Sequence, residues 1–350
     1  MNDTLFFSVE SATLIHILLL GTLGFLLSML ITPLYTTCAY KWEWWKKPRK
    51  TATTGETAKV FNKLHAAKHQ RHIPTMAGAI FVVSVAIVTL LFNLDRTETW
   101  LPLAAFVGAA AVGLIDDMIN IRGSGAGVAG IPPKIKLLLI TLIALIGGWF
   151  FYYKLEVSSI SIPLTGIDWH IGWFIIPLFV LVVVATANAV NISDGLDGLA
   201  GGLATSAFAV YAIIALVEGR FGIAGFCMTI LGALLSYTWF NIFPARFFMG
   251  DVGSFSLGTA LGVVAMLTDT VLLLPLIGIV FVAEAGSTLL QVASKKLRGG
   301  KKIFRIAPIH HHFEAIGWPE TKVTMRFWII GQVAGVLGLI AFLLGLGSMG

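Results

Sequence analysis

Residues 171–217 read IGWFIIPLFVLVVVATA-NAVNISDGLDG-LAGGLATSAFAVYAIIALV, two apolar runs on either side of an eleven-residue polar segment. Each apolar run approaches the roughly 20 residues that an α-helix needs to cross a bilayer. The polar segment holds two asparagines and two aspartates. Each carboxylate inside the bilayer would cost about 2.5–3.5 kcal/mol. The stretch therefore predicts two membrane-spanning helices joined by a polar loop at the membrane surface.

The whole chain has the same character. Of its 350 residues, 57% are hydrophobic and 12% charged, and the mean hydropathy is +0.88. A soluble domain carries roughly 25% charged residues, so we expect an all-α polytopic membrane protein with one domain over residues 1–350. The ten predicted spans are 13–36, 75–92, 100–115, 135–152, 171–187, 199–217, 223–240, 254–267, 271–293 and 327–346. Pro275 and Gly278 predict that the ninth is bent or broken.

The basic residues predict the orientation, because Lys and Arg concentrate in cytoplasmic loops. With ten spans, one side of the membrane holds 21 of the 24 basic residues, and the other holds Arg96, Lys154 and Arg220. We expect the first side to be cytoplasmic and both termini to lie outside. Residues 157–173 alternate apolar and polar side chains around a turn, which predicts a small external β-hairpin. The net charge of +6 then reflects topology, and no nucleic-acid partner is expected.

Carboxylates from three separate parts of the chain lie at predicted cytoplasmic ends of spans. They are Asp116, Asp117, Asp194, Asp197 and Asp251. Their clustering predicts an anionic pocket that needs a cation, and carboxylate oxygens suit Mg²⁺ or Mn²⁺. Asp251 also lies beside the start of a predicted helix, whose free N–H groups attract phosphate. A solvated helix end for the Asp116–Asp117 pair and a simple N-cap for Asp251 are the alternatives.

The two other polar segments are dense in binding groups. Asn188 and Asn191 supply amides that suit a pyrimidine or a sugar. His310, His311 and His312 are adjacent, and adjacent residues rarely converge on one metal ion, so we expect hydrogen bonds to phosphate rather than a Zn²⁺ site. Exposed histidines without a binding role are the alternative. Glu284 lies inside the ninth predicted span, and the sequence predicts either a buried structural group or a site residue there.

Three motifs carry a family resemblance when taken together. They are Asn-Ala-Val-Asn-Ile-Ser-Asp-Gly-Leu-Asp-Gly-Leu-Ala at 188–200, Phe-Met-Gly-Asp-Val-Gly-Ser at 248–254 and Pro-Ile-His-His-His-Phe-Glu at 308–314. They resemble the phospho-N-acetylmuramoyl-pentapeptide transferase family of the polyprenyl-phosphate N-acetylhexosamine-1-phosphate transferase superfamily. The resemblance extends from about residue 70 to the C-terminus, and the triple histidine is its most specific part.

The resemblance implies a reaction between UDP-MurNAc-pentapeptide and undecaprenyl phosphate. The products would be UMP and undecaprenyl-diphospho-MurNAc-pentapeptide, which is lipid I of peptidoglycan synthesis. It also implies a homodimer in the bacterial inner membrane, with an Mg²⁺-dependent active site that faces the cytoplasm.

The resemblance also assigns residues. Asp251 and Asp117 would hold Mg²⁺, Asp116 and Asp117 would bind or activate the lipid phosphate, and His310 would be catalytic through phosphate contact. The candidate substrate-binding residues are Lys68, Arg71, Lys136, Asn188, Asn191, Asp194, Asp197, Asn241, Phe248, His311 and His312.

Two positions depart from the family pattern. Members usually carry Lys-Arg-Gly-Thr before a Pro-Thr-Met motif, where this chain has Gln70-Arg71-His72-Ile73. Lys68 or Arg71 is the candidate to replace that phosphate contact. A lysine usually found three residues after the second aspartate is Asn120 here.

Two other functions compete with this assignment. A polyprenyl-phosphate GlcNAc-1-phosphate transferase would use the same chemistry on another sugar, but the triple histidine favours the muramoyl-pentapeptide branch. A secondary transporter of an anionic solute would place its acidic residues near the membrane midplane, whereas these aspartates are predicted at one membrane face.

Overall fold

The computed structural model describes residues 10–45, 72–123 and 130–347. These residues are mostly helical, with one small antiparallel sheet. The elements are α1 (Ser11–Lys41), α2 (Gly78–Phe92), α3 (Trp100–Arg122), α4 (Pro133–Tyr153), β1 (Ser159–Ile162), β2 (Ile167–His170), α5 (Ile175–Ser193), α6 (Leu199–Val217), α7 (Phe221–Asn241), α8 (Gly250–Leu267), α9 (Leu274–Ile277), α10 (Ile279–Leu297), α11 (Ile309–Ala315) and α12 (Glu320–Gly347).

Helices lie at every predicted span within the described residues. Eight helical segments are long and apolar enough to cross a membrane: α1, α3, α4, α5 with its preceding turn, α6, α7, α8 and α12. Helix α2 is apolar but has only 15 residues. The ninth predicted span is divided, since α9 ends at Ile277 and α10 begins at Ile279 with Gly278 between them. The predicted break is therefore confirmed, while a count of ten spans stays a prediction.

Helix α8 forms the centre of the bundle. Seventeen of its 18 residues are buried, and the exception is Asp251 in its first turn. It packs against α2, α3, α5 and α6. Gly113 of α3 lies so close to α8 that a Cβ atom there would overlap the backbone carbonyl of Asp251. This close approach places the end of α3 beside the beginning of α8.

The outer helices expose large apolar side chains. Leu30 of α1, Ile146 of α4 and Leu344 of α12 are 75%, 70% and 63% exposed. Apolar surface of this extent is what a helix presents to lipid rather than to water. The burial pattern is therefore that of a bundle with a packed centre and a hydrocarbon-facing exterior.

The predicted β-hairpin is present at the other end of α8 from Asp251. Strands β1 and β2 pair with Ser159 opposite His170 and Ile162 opposite Ile167. Asp269, just beyond the end of α8, accepts hydrogen bonds from the backbone N–H and the hydroxyl of Ser161, at 3.0 and 2.5 Å. These bonds attach the hairpin to the bundle at the end away from the aspartate cluster.

Candidate active site

Four helix ends meet at one end of the bundle. Helix α3 brings Asp116 and Asp117 in its last two turns, and α8 brings Asp251 in its first. Helix α4 contributes Lys136 near its start, and α5 contributes Asn191 near its end. Residues that are distant in sequence thus surround one polar site.

Asp116 is almost completely buried, at 1% exposure, and its two oxygens have several donors. Oδ1 accepts a hydrogen bond from the backbone N–H of Ile131 at 2.6 Å. Oδ2 accepts from the amide of Asn120 at 2.7 Å and lies 3.3 Å from Lys136 Nζ. A buried carboxylate without such donors would be strongly destabilising, so Asn120, at the position of the usual lysine, keeps a polar role.

Lys136 joins two of the aspartates. Its ammonium lies 2.9 Å from Asp251 Oδ2 and 3.3 Å from Asp116 Oδ2. A cation between two carboxylates relieves their mutual repulsion, and the short distances strengthen the interaction. The sequence predicts Lys136 as a substrate contact, and its partners in the structure are the site carboxylates.

Asp117 and Asn191 hold the first turn of α8. Asp117 Oδ2 accepts the backbone N–H of Val252 at 3.1 Å, which satisfies one of the free N–H groups at this helix start. The amide of Asn191 donates to Asp251 Oδ1 at 3.2 Å and to Ser254 Oγ at 2.8 Å. The metal-binding candidates are therefore oriented by neighbouring elements before any ligand arrives.

The geometry of the three aspartates fits a divalent cation. One carboxylate oxygen each from Asp116, Asp117 and Asp251 lie within 4.8 Å of one another. Hard cations such as Mg²⁺ take oxygen ligands and commonly complete their shell with water and substrate phosphates. The Asp251 side chain is 16% exposed, which leaves one side of the cluster open to such ligands. The predicted meeting of carboxylates from distant parts of the chain is confirmed for these three.

Asp197 and Asn241 brace the loop at 188–198 instead of joining that cluster. Asp197 Oδ2 accepts the N–H of Ala245 at 2.9 Å, and the Asp197 N–H donates to Glu320 Oε1 at 2.7 Å. Asn241 accepts from the Gly198 N–H at 3.0 Å and donates to the Phe247 carbonyl at 2.9 Å. Sequence reasoning missed Glu320, although an acid just after Pro319 at a helix start was a usable signal.

The remaining residues assigned to the nucleotide and sugar lie around this loop. The Asn188 side chain donates to the Val184 carbonyl at 2.8 Å, and Asp194 directly follows the last residue of α5. The Phe248 N–H donates to the Pro74 carbonyl at 2.8 Å, and its carbonyl accepts from the Ala77 N–H at 3.0 Å. The Phe248 side chain is half-buried. Their substrate contacts stay predictions.

Each of the three histidines has a different partner. His310 Nδ1 lies 2.8 Å from Glu284 Oε2, and both side chains are buried. His311 Nδ1 lies 2.7 Å from Glu314 Oε2. Burial, helped by nearby His310 and opposed by Glu314, lowers the pKa of His311 from 6.5 to about 4. The surface alternative is wrong for His310 and His311.

His312 lies nearer the surface. Its Nδ1 accepts the backbone N–H of Arg305 at 3.1 Å, so its ring holds the loop that precedes α11. The phosphate contacts predicted for all three histidines stay predictions. Lys68 and Arg71 lie outside the described residues.

Comparison with known proteins gives a consistent result. The profile of glycosyl transferase family 4 matches residues 99–269, which include the three aspartates. A phospho-N-acetylmuramoyl-pentapeptide-transferase of Chloroflexus aggregans is 38% identical over 92% of this chain and 88% of its own length. Proteins of the same name from Thermodesulfovibrio yellowstonii and Methylacidiphilum infernorum are 41% and 38% identical, over 76% and 81% of this chain and 79% and 82% of their own lengths. On this similarity along most of its length, the chain belongs to the phospho-N-acetylmuramoyl-pentapeptide-transferase family.

Proposed function

We propose that this protein transfers phospho-MurNAc-pentapeptide from UDP-MurNAc-pentapeptide to undecaprenyl phosphate, which yields lipid I and UMP for peptidoglycan synthesis. The observation that carries the proposal is the group of Asp116, Asp117 and Asp251 with Lys136 at one end of the bundle. The names of the relatives give the transferred group, phospho-N-acetylmuramoyl-pentapeptide, and the family resemblance implies the nucleotide donor and the lipid acceptor.

The reaction needs charge neutralisation more than it needs a base. An oxygen of undecaprenyl phosphate forms a bond to the sugar-bearing phosphorus, and the bond from that phosphorus to the oxygen of UMP breaks. A phosphate dianion is already a nucleophile near neutral pH, so the charges balance without a proton transfer. Positioning and electrostatic stabilisation supply most of the catalysis in phosphoryl transfer.

We assign Mg²⁺ binding to Asp251 and Asp117, with Asp116 and Asp117 serving the lipid phosphate. A bound Mg²⁺ would neutralise the diphosphate and polarise its oxygens. Lys136 places a fixed ammonium between Asp116 and Asp251, where it can also meet a substrate phosphate. Asn191 orients Asp251 through its amide.

The uridine and sugar-phosphate site is proposed to involve the loop at 188–198 and the segments around it. Asn188 and Asp194 would contact the substrate, while Asp197 and Asn241 would keep the loop in shape through their backbone bonds. The other proposed substrate contacts are Lys68, Arg71, Phe248, His311 and His312.

The proposed topology has ten spans, with both termini and the β-hairpin outside and the aspartates at the cytoplasmic face of a bacterial inner membrane. The concentration of Lys and Arg in the loops on one side supports this orientation. We also expect one catalytic domain and, from the family resemblance, a homodimer.

The direct test uses the full chain in detergent with both substrates, with and without Mg²⁺. We expect UMP release and a lipid product with the mass of lipid I, both abolished by a chelator and restored by Mg²⁺. A parallel reaction with UDP-GlcNAc should give no product. Turnover of UDP-GlcNAc alone would overturn the sugar assignment, and solute uptake into proteoliposomes without UMP release would overturn the enzyme assignment.

A further inference from the structure

Glu284 lies in α10 and meets a residue of the short helix α11. Its side chain is 0% exposed, and its Oε2 lies 2.8 Å from Nδ1 of His310. A carboxylate that holds one ring nitrogen of a histidine fixes the orientation of the ring and determines the role of the other nitrogen.

The opposite side of the His310 ring faces the loop at 188–198. A Cβ atom added to Gly195 would overlap Nε2 of His310 and would lie 2.8 Å from its Cε1. Only a glycine allows the loop backbone to approach the ring this closely. His310 is itself 0% exposed, so the ring is packed between Glu284 and the loop.

Gly195 lies between Asp194 and Asp197, two of the residues assigned to the substrate. The far end of this loop is held separately, because Asn241 and Trp328 bond the backbone of Gly198 at 3.0 and 3.1 Å. The buried ring of His310 therefore packs against the loop at Gly195, three residues before the backbone bonds at Gly198.

We propose that Glu284 and His310 are positioning residues, which act together through Gly195 to hold the 188–198 loop in the conformation that binds the UDP-linked substrate. This inference rests on the proposed function for the identity of that substrate. It replaces the direct phosphate contact that the family resemblance implies for His310 with an action through the loop.

The test is a set of variants made in the full chain in detergent. Glu284→Ala removes the acceptor for His310, Glu284→Gln keeps an acceptor of the same length, and His310→Ala removes the ring. The control is Ser287→Ala, since Ser287 is also buried in α10 and its hydroxyl bonds the Glu284 backbone carbonyl at 2.9 Å. It reports any general effect of disturbing the helix.

We expect Glu284→Ala to raise the KM for UDP-MurNAc-pentapeptide and the Kd for UMP by about 10- to 100-fold, the size of loss seen when a carboxylate that orients a metal-binding histidine is removed. The KM for undecaprenyl phosphate should stay unchanged, and Glu284→Gln should recover most of the loss. Because both residues act through one contact, adding Glu284→Ala to His310→Ala should cause no further loss. Ser287→Ala should resemble the wild type.

The inference is overturned if Glu284→Ala binds UMP like the wild type, or if the losses from the two single variants add in the double variant. An equal rise in both KM values would also overturn it, because a general loss of structure does not select one substrate. A wild-type protein that binds UMP but forms no lipid product would overturn the proposed reaction alone. The UMP affinities of the variants would then still decide the role of Glu284.

Discussion

Lys136 is the residue on which the electrostatics of the site depend. Asp116 and Asp251 both lie within 3.3 Å of its ammonium, and one of them is fully buried. Carboxylates that share a site without a cation disfavour each other's ionised forms. The lysine therefore reduces the repulsion between the two carboxylates and links α4 to the ends of α3 and α8.

Replacing Lys136 by methionine should strongly lower turnover while preserving the shape of the side chain. A loss of roughly 10²- to 10³-fold in kcat is expected, as for other fixed groups that stabilise charge in a transition state. Steady-state UMP release at several Mg²⁺ concentrations checks this. Because the ammonium and Mg²⁺ compete for the same carboxylates, the optimum should move to lower Mg²⁺. An unchanged kcat would contradict the role given to Lys136.

Asp251 is the second test at this scale. Asp251→Asn keeps the size of the side chain but removes the charge that would hold Mg²⁺, so Mg²⁺-dependent UMP release should be abolished. The matched control is Asp168→Asn, since Asp168 lies exposed on the hairpin and bonds Ser161 Oγ at 2.6 Å. Gel filtration of Asp251→Asn should give the single peak of the wild type, which shows that the variant is folded. Normal turnover by this folded variant would refute the metal assignment.

At the scale of elements, the contact between α3 and α8 brings the aspartates together. Gly113 allows the two helix backbones to approach beside Asp251, and Asp117 then reaches the N–H of Val252. The spacing between the end of one helix and the start of the other is thus a property of helix packing. Small changes in that packing should alter the site without touching a site residue.

Gly113→Ala should separate these helices. The added methyl group would overlap the Asp251 carbonyl, and overpacking of this kind costs about 1–3 kcal/mol. We expect a lower apparent Tm in detergent and a larger fractional loss of activity. Gly108→Ala is the control on the same helix, because the atoms nearest to its Cβ would be those of Ile143, at ordinary contact distances of 3.5 Å or more. It should leave both measurements near the wild type.

The short helix α11 should make stability depend on pH. His311 has a pKa of about 4 in the folded protein against an ordinary 6.5, because it is buried. As the pH falls below 6.5, the unfolded chain binds a proton that the folded protein does not, so the free energy of unfolding decreases until about pH 4. Above pH 6.5 His311 is neutral in both states, and its contribution to the free energy of unfolding is complete.

Apparent Tm values between pH 7.5 and 5 check this dependence. The Tm should fall with pH in the wild type and fall less in His311→Gln. His170→Gln is the control, because His170 is exposed on the hairpin, and it should keep the wild-type slope. An identical slope in His311→Gln would contradict the assignment.

At the scale of the whole molecule, the ends of the bundle differ in chemistry. One end carries the aspartate cluster, and the other carries the hairpin attached through Asp269. Helix α8 runs between them with nearly every residue buried. Only the placement of these ends in a membrane converts this polarity into a cytoplasmic and an external face.

Single cysteines can test that placement in intact cells. In a background with Cys38→Ser and Cys227→Ser, Thr165→Cys lies in the hairpin turn and Lys296→Cys lies in the last turn of α10. We expect a membrane-impermeant maleimide to label the first in intact spheroplasts and the second only after permeabilisation. The reverse labelling pattern would invert the proposed topology.

The proposed homodimer has its own test. Native mass spectrometry of the purified protein in detergent should give the mass of two chains.

The sequence by itself determined the helices, the break at Gly278, the hairpin and the residue types of the site. Hydropathy and turn chemistry are local properties. The run at 171–217 therefore predicts helices, and Pro275 predicts a break, whatever residues lie next to them in the fold. The aspartates were identifiable for the same reason, because carboxylates at the ends of apolar runs need a partner.

Only the tertiary structure decided which of these groups meet. Lys136 and Asp251 are 115 positions apart, and Asp197 and Glu320 are 123 apart. Glu284 reaches His310 because α10 and α11 pack together, and Gly195 admits the ring because the loop lacks a side chain there. Such contacts depend on how helices pack and on where backbones approach, and no local pattern along the chain encodes those distances.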